Sequence, residues 1–263
     1  MLVVDTHVHA SPYWFEPIEV LLFQMNAQRV DKATLVQFFG QTDNRYIFEC
    51  ARRFPGRFSP VVAVDTEGAD VPRALKQLAS EGAEGVRLRP TTRSPGEDPL
   101  AIWRVCAELG LAVSCGGSEE EFASDDFRKL VEALPDLPVI VEHLGHPQHD
   151  KPPYPVYQKV LALARYPNTY IKLGGLGEIC ERPFPFADPF YSVHGVPPFI
   201  KMAYEAFGAS RMMWGSNYPP CSRLEGYANT LRLVEEYLTG FCSQDDKQWI
   251  FGKTALLLYK FRQ

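Results

Sequence analysis

The sequence predicts a single-domain (β/α)₈ TIM barrel spanning residues 1–263. Three observations carry that prediction. Eight short β-branched runs recur along the chain with amphipathic stretches between them. The connections before the runs are short, whereas those after them are long. The first run carries a His-x-His pair where a barrel strand meets its mouth.

The runs read as strands are 2–8, 33–39, 59–65, 84–89, 111–115, 138–143, 169–174 and 211–216. Until the last, longer gap they start roughly 25–30 residues apart, the size of a strand plus a crossover helix. In 71–80 and 126–134 the apolar residues return at three- and four-residue steps, which reads as helix packed on one face. Helix-to-strand turns are marked by Pro55-Gly56, Gly82, Gly110, Pro135 to Pro138, Pro167-Asn168 and Gly208. Strand-to-helix loops at 10–17, 89–99, 144–155, 174–198 and 217–223 are longer and richer in reactive side chains. In a parallel barrel all of these open on one face, and that face holds the active site. An open doubly wound sheet normally announces itself with a glycine-rich phosphate turn after the first strand, and none is present.

Composition excludes several classes. The net charge is −5, with 27 basic and 32 acidic residues, so no basic surface is expected to meet nucleic acid. No apolar run reaches the length of a membrane span. The six cysteines, Cys50, Cys106, Cys115, Cys180, Cys221 and Cys242, include no C-x-x-C pair, so reduced cytoplasmic thiols are the expectation. The N-terminus runs directly into a strand bearing candidate site residues, which a cleaved leader would remove.

Strand alternation places Asp5, His7 and His9 on one face and Val4, Thr6 and Val8 on the other. Two imidazoles at a barrel mouth either bind a divalent metal or donate hydrogen bonds to a developing oxyanion. The alternative is a pair of core histidines bonded to backbone. Arg87 and Arg89 share a face of the fourth strand, either as a clamp for a substrate carboxylate or in ion pairs with an acid such as Glu142 or Glu178. His143 ends the sixth strand, and His146 and His149 follow in its loop. Lys172 lies mid-strand and either snorkels outward or pairs inside the barrel. The stretch 181–199 is a long loop crowded with proline and phenylalanine and includes His194. It reads as a lid or as a homo-oligomer contact. Tyr13, Trp14, Phe15 and Tyr218 add aromatic character to the mouth.

The opening Asp5-Thr6-His7-Val8-His9 resembles the amidohydrolase superfamily. The rest of the chain resembles its amidohydrolase-2 branch, which includes 2-pyrone-4,6-dicarboxylate and fuconolactone lactonases and zinc-dependent decarboxylases. Gly85-Val86-Arg87-Leu88, Glu142-His143-Leu144-Gly145-His146-Pro147, Arg211 through Pro219, and the closing Ile250 through Tyr259 match the branch's segments in order. The resemblance implies a hydrolase acting on a small carboxylate-bearing lactone or ester. Its catalytic residues would be His7, His9, His143 and Asn217, and its substrate contacts Arg87, Arg89 and Tyr218. Where a metal is used, it would be one divalent ion, zinc first, on His7, His9 and His143; metal-free operation is the alternative. A zinc decarboxylase and a small-molecule-binding barrel without turnover are the competing functions.

Two departures from the branch matter. Its eighth strand usually carries an aspartate where this chain has Asn217, and an amide takes no proton from water at neutral pH. Metal-binding members often place a histidine on strand five, where this chain reads Ser114-Cys115-Gly116-Gly117. Cys115 is then either a thiolate ligand or, more simply, packing. Glu178, after a glycine-rich turn, is the nearest candidate for the missing base, and His143 is the other.

Overall fold

The computed structural model describes residues 1–68, 70–148, 152–182, 184–185 and 195–262. Eight parallel strands follow one another in chain order around one sheet. They are β1 (Val4–Val8), β2 (Lys32–Val36), β3 (Phe58–Val62), β4 (Gly85–Leu88), β5 (Ala112–Cys115), β6 (Val139–Val141), β7 (Thr169–Leu173) and β8 (Met212–Trp214). The sheet meets itself beyond β8, where Val8 bridges Tyr218 and the His9 N–H donates to the Tyr218 carbonyl at 2.8 Å. All eight expected strands are present. Each is shorter than its sequence run: β1 and β5 begin later than their runs, and the other six end before theirs as the chain turns into the mouth.

The main helices between strands are α1 (Ile18–Ala27), α2 (Arg45–Arg53), α3 (Val71–Glu81), α4 (Ala101–Leu109), α5 (Glu119–Phe122), α6 (Asp125–Ala133), α7 (Pro155–Leu161) and α8 (Phe199–Phe207). After β8 come α9 (Tyr227–Thr239), α10 (Gln244–Gln248) and α11 (Thr254–Leu258). Local sequence explains the helix ends. The Asp70 carboxylate caps α3 by accepting the Arg73 N–H at 3.2 Å, and Gly82 ends it at a φ of +114°, a conformation that favours glycine. No helix of the described residues is long and apolar enough to cross a membrane.

The barrel interior is layered. Val4, Val36, Val61, Ala112, Ile140 and Met213, from six different strands, pack with Tyr259 and Phe261 of the C-terminal segment. This is an apolar floor, and the tail is pinned beneath it by Glu84, whose carboxylate accepts the N–H groups of Lys260 and Phe261 at 2.7 and 3.0 Å. Two residues further along the strands the interior turns polar: Gly85 gives way to Arg87, Ala112 to Ser114, and Ile140 to Glu142. The outer faces of the strands join the helices in one large core that includes Trp103, Phe127 and Trp214. Cys115 belongs to that outer core, and burial pushes its thiol well above the usual range, so its role is packing.

β1 departs from simple alternation. Asp5 pairs with Ala33 but Val8 pairs with Leu35, three steps against two, so β1 carries a bulge. Val4 therefore faces the floor while His7 and His9 face the mouth. Asp5, expected beside the histidines, instead accepts the Ser216 N–H at 2.8 Å and the His7 N–H at 3.2 Å.

Candidate active site

His7, His9 and His143 converge at the mouth. Ring centroids lie 5.0 Å apart for His7 and His9 and 4.6 Å for His7 and His143. Local chain features allow this approach. Gly215 lies so close that a Cβ there would meet the His7 Cβ at 2.6 Å, so the glycine of Trp214-Gly215-Ser216-Asn217 lets β8 press against His7. His143 opens a turn in which it, Leu144, Gly145 and His146 all adopt positive φ. That conformation is costly for non-glycine residues and is characteristic of functional sites. It ends the strand at Val141, two residues earlier than the sequence suggested.

The three imidazoles differ in electrostatics. His7 is 2 % exposed, and neither of its ring nitrogens has a hydrogen-bond partner. Burial, then the nearby Lys172 cation, holds it well below the usual histidine range. His9 is pushed down to about 3, chiefly by burial and then by Arg87. Its Nδ1 lies 2.6 Å from the Val36 carbonyl, an acceptor, so Nδ1 carries the proton and Nε2 keeps its lone pair. The Phe15 ring stacks on His9 at 5.3 Å, and Phe38 closes the cluster. Burial also opposes charge on His143, but the Glu178 carboxylate more than offsets it and its value rises. The His143 Nδ1 lies 3.1 Å from both oxygens of Glu178, and the Asn217 amide donates to Glu178 Oε1 at 2.9 Å. Glu178, Asn217 and His143 thus form one hydrogen-bonded group.

Beneath the histidines lies a buried ionic network. Arg87 grips Glu142 through Nη2 at 2.8 Å and Nε at 3.2 Å. Ser114 donates to Glu142 Oε1 at 2.6 Å and accepts from Lys172 Nζ at 2.8 Å. Lys172 therefore pairs inside the barrel, and burial pushes its ammonium down to about 8. Of the two readings of Arg87, the ion pair is what the structure contains. Arg89 is different. It is exposed, makes no ion pair with a described residue, and rests on the Phe39 ring at 4.4 Å, a ring that Arg87 also meets, at 4.2 Å. Both arginines line a cavity of about 440 Å³ with Phe39, Thr42, Asp65 and Thr92.

Tyr218, expected to contact substrate, has a side chain 3 % exposed that packs edge-on against Tyr227 at 5.4 Å, and its backbone carbonyl holds the His9 N–H at 2.8 Å. Trp14 and Tyr13 remain exposed beside the mouth. His146 is exposed, with its ring 4.9 Å from His143. His149, His194 and part of the loop at 174–198 lie outside the described residues.

The donor set suits a divalent metal. Among the described residues, His7, Glu142 and His143 each offer a ligand atom, all within 4.8 Å of one another. The unpartnered nitrogens of buried His7 are what such an ion would satisfy. Glu142 is the member sequence reasoning missed, since it figured only as a partner for arginine. His9, expected in the set, stands outside it. Gly116 explains the absent strand-five histidine: a Cβ there would meet Glu142 Oε2 at 2.6 Å and Phe39 at 2.8 Å, so that space is filled.

The chain is 25 % identical over 256 residues to the L-fucono-1,5-lactonase of Burkholderia ambifaria, covering 93 % of this chain and 84 % of that protein. It shares its fold with a candidate 2-pyrone-4,6-dicarboxylic acid hydrolase of Pseudomonas putida (TM-score 0.76, 24 % identity, 100 % and 98 % coverage). It also shares it with an amidohydrolase of Burkholderia multivorans with bound zinc (TM-score 0.79, 19 % identity, 99 % of each chain). The amidohydrolase family model matches residues 4–261, nearly the whole chain, and the protein is an enzyme of the amidohydrolase family.

Proposed function

We propose that this enzyme hydrolyses a lactone, or a related ester, that bears a carboxylate. The observation that carries the reading is His143, an imidazole at the mouth whose Nδ1 is held by a carboxylate and whose Nε2 is left with its lone pair. Water attacks the lactone carbonyl, and its proton passes to His143 Nε2. The ring C–O bond breaks, and the proton returns to the departing alkoxide. His7 is neutral, dry and unpartnered, and its N–H donates to the developing oxyanion. Arg89, over the Phe39 ring and without an acid partner among the described residues, holds the substrate carboxylate. Arg87 stays on Glu142 and lends its charge from below. Similarity to the fuconolactonase supports the lactone class. Where zinc is held by His7, His143 and Glu142 it would supply a Lewis acid for the carbonyl and would take up the His143 lone pair, so His143 serves as the base in the metal-free reaction. Glu142 would then share its oxygens with Arg87 and Ser114.

The test is turnover of a panel of carboxylated lactones, with metal content measured in parallel. The parent is expected to open at least one of them. His143→Asn should lose about 10²–10⁴-fold in kcat, the size typical of a lost general base. A parent inactive on every lactone would sink the substrate class, and a fully active His143→Asn would remove His143 as the base.

A further inference from the structure

The eighth strand ends in Asn217, which cannot act as a carboxylate, yet a carboxylate stands beside it. Glu178 lies in the short turn Leu176–Glu178 after β7 and is largely buried, with its side chain 14 % exposed. It reaches the mouth because the turn is built of glycine. A Cβ on Gly174 would meet Glu178 Oε2 at 2.0 Å, Cδ at 2.4 Å and Oε1 at 2.9 Å, so the carboxylate occupies the space a side chain at 174 would need. The back of the same turn is held by a second buried acid. Glu225 Oε1 accepts the Gly177 N–H at 2.8 Å, and it too lies where a Cβ would stand, 1.9 Å from that of Gly175. The turn is therefore clamped from behind by Glu225 and folded in front around Glu178. Asn217 then donates to Glu178 Oε1, which is also the atom 3.1 Å from His143 Nδ1.

We infer that Glu178 is the positioning residue of the reaction, a carboxylate supplied from the β7 turn in place of one on β8, which fixes His143 with its proton on Nδ1 and its lone pair aimed at water. Asn217 acts through Glu178 by donating to it, and Glu225 acts through the turn. The inference rests on the reading of His143 as the base. The arrangement needs the acceptor at position 178 and the empty volume at position 174 together. It also explains why an amide at 217 serves where an aspartate would repel the neighbouring acid.

Gly174→Ala isolates the geometry, because the three nearest atoms to the added methyl all belong to the Glu178 side chain. The variant is expected to fold with a Tm close to the parent's and to displace this carboxylate. Glu178→Gln and Gly174→Ala should each lower kcat by about 10²-fold or more, with KM within about threefold, on the lactone the parent opens fastest. The double variant should be no worse than either single one, since both remove the same contact. Asn217→Asp placed on Glu178→Gln should recover at least about tenfold, because a carboxylate returns to the pocket. A proton spectrum of ¹⁵N-histidine-labelled protein reads the contact without substrate. A low-field Nδ1–H signal, assigned by its loss in His143→Asn, should vanish in both variants. Unchanged kcat in both variants overturns the inference. So does an Nδ1–H signal indifferent to them. A parent silent on every lactone, with the signal lost as expected, instead places the fault in the proposed substrate and leaves the positioning role standing.

Discussion

Glu142→Gln removes one charge from the bottom of the mouth, and the structure sets the size of the effect. Glu142 is fully buried, and its oxygens take Arg87 Nη2 at 2.8 Å, Arg87 Nε at 3.2 Å and Ser114 Oγ at 2.6 Å. Lys172 stands one hydrogen bond away through Ser114. The substitution keeps the shape and leaves two buried cations facing a neutral amide. Removing one partner of such a pair costs about 3–5 kcal/mol, because the remaining charge is dry and uncompensated. In a chain of this size that is a fall of roughly 6–20 °C in Tm. The pH dependence has a defined sign. Burial opposes ionisation of Glu142, but Arg87 and Lys172 outweigh it and hold the carboxyl below its ordinary 4.5. Its contribution is therefore complete above 4.5 and is lost only as acid drives the pH down through the depressed folded value. Toward alkaline pH the gap narrows for a second reason, since Lys172, already down to about 8, sheds its proton and relieves the variant. Urea unfolding of parent and variant between pH 5 and 9 measures the gap directly. A difference below about 1 kcal/mol at pH 7 would show that the network is solvated and refute the argument.

The rising limb of kcat/KM with pH should lie above the ordinary histidine value of 6.5, because His143 must be neutral to act as base and Glu178 raises it. Glu178→Gln should move that limb to lower pH, and a limb that stays in place would assign it to another group. Glu225 is pushed up to about 7, chiefly by burial, so the stability of its neutral form is fully present below 4.5 and is lost as pH rises through 7. Glu225→Gln, which keeps an acceptor for the Gly177 N–H, should therefore gain on the parent between pH 5 and 8 by on the order of 2–3 kcal/mol, read by urea unfolding.

The fold was legible because a parallel barrel repeats one signal eight times. Most strands are β-branched runs and most return turns carry Gly or Pro, and the runs overshoot the true strands by one to three residues at either end. The bulge in β1 was not legible. It is a mismatch of hydrogen bonds with β2, and nothing in Val4 through Val8 marks it, so strict alternation wrongly kept Asp5 with His7 and His9. The turn at His143 escaped for a similar reason, since only Gly145 in it is a residue that advertises positive φ.

The site residues divide by the range of the interaction that places them. His7 and His9 were readable because they stand two residues apart where the first strand ends. The fate of Arg87 depended on an acid 55 residues away, so the sequence left clamp and ion pair as equals until the two were brought to 2.8 Å. That outcome leaves Arg89, two residues on, past the end of the strand and without an ion pair to a described residue, as the arginine that the proposed carboxylate contact would use. Glu178 was the hardest to place. Its value to the site lies in empty volume at Gly174 and Gly175, and an absent Cβ has meaning only when the atom that uses the space is known. A glycine-rich turn in a sequence therefore says that something approaches closely, and the structure is needed to say that here the things approaching are two carboxylates, one aimed at His143 and one holding the turn from behind.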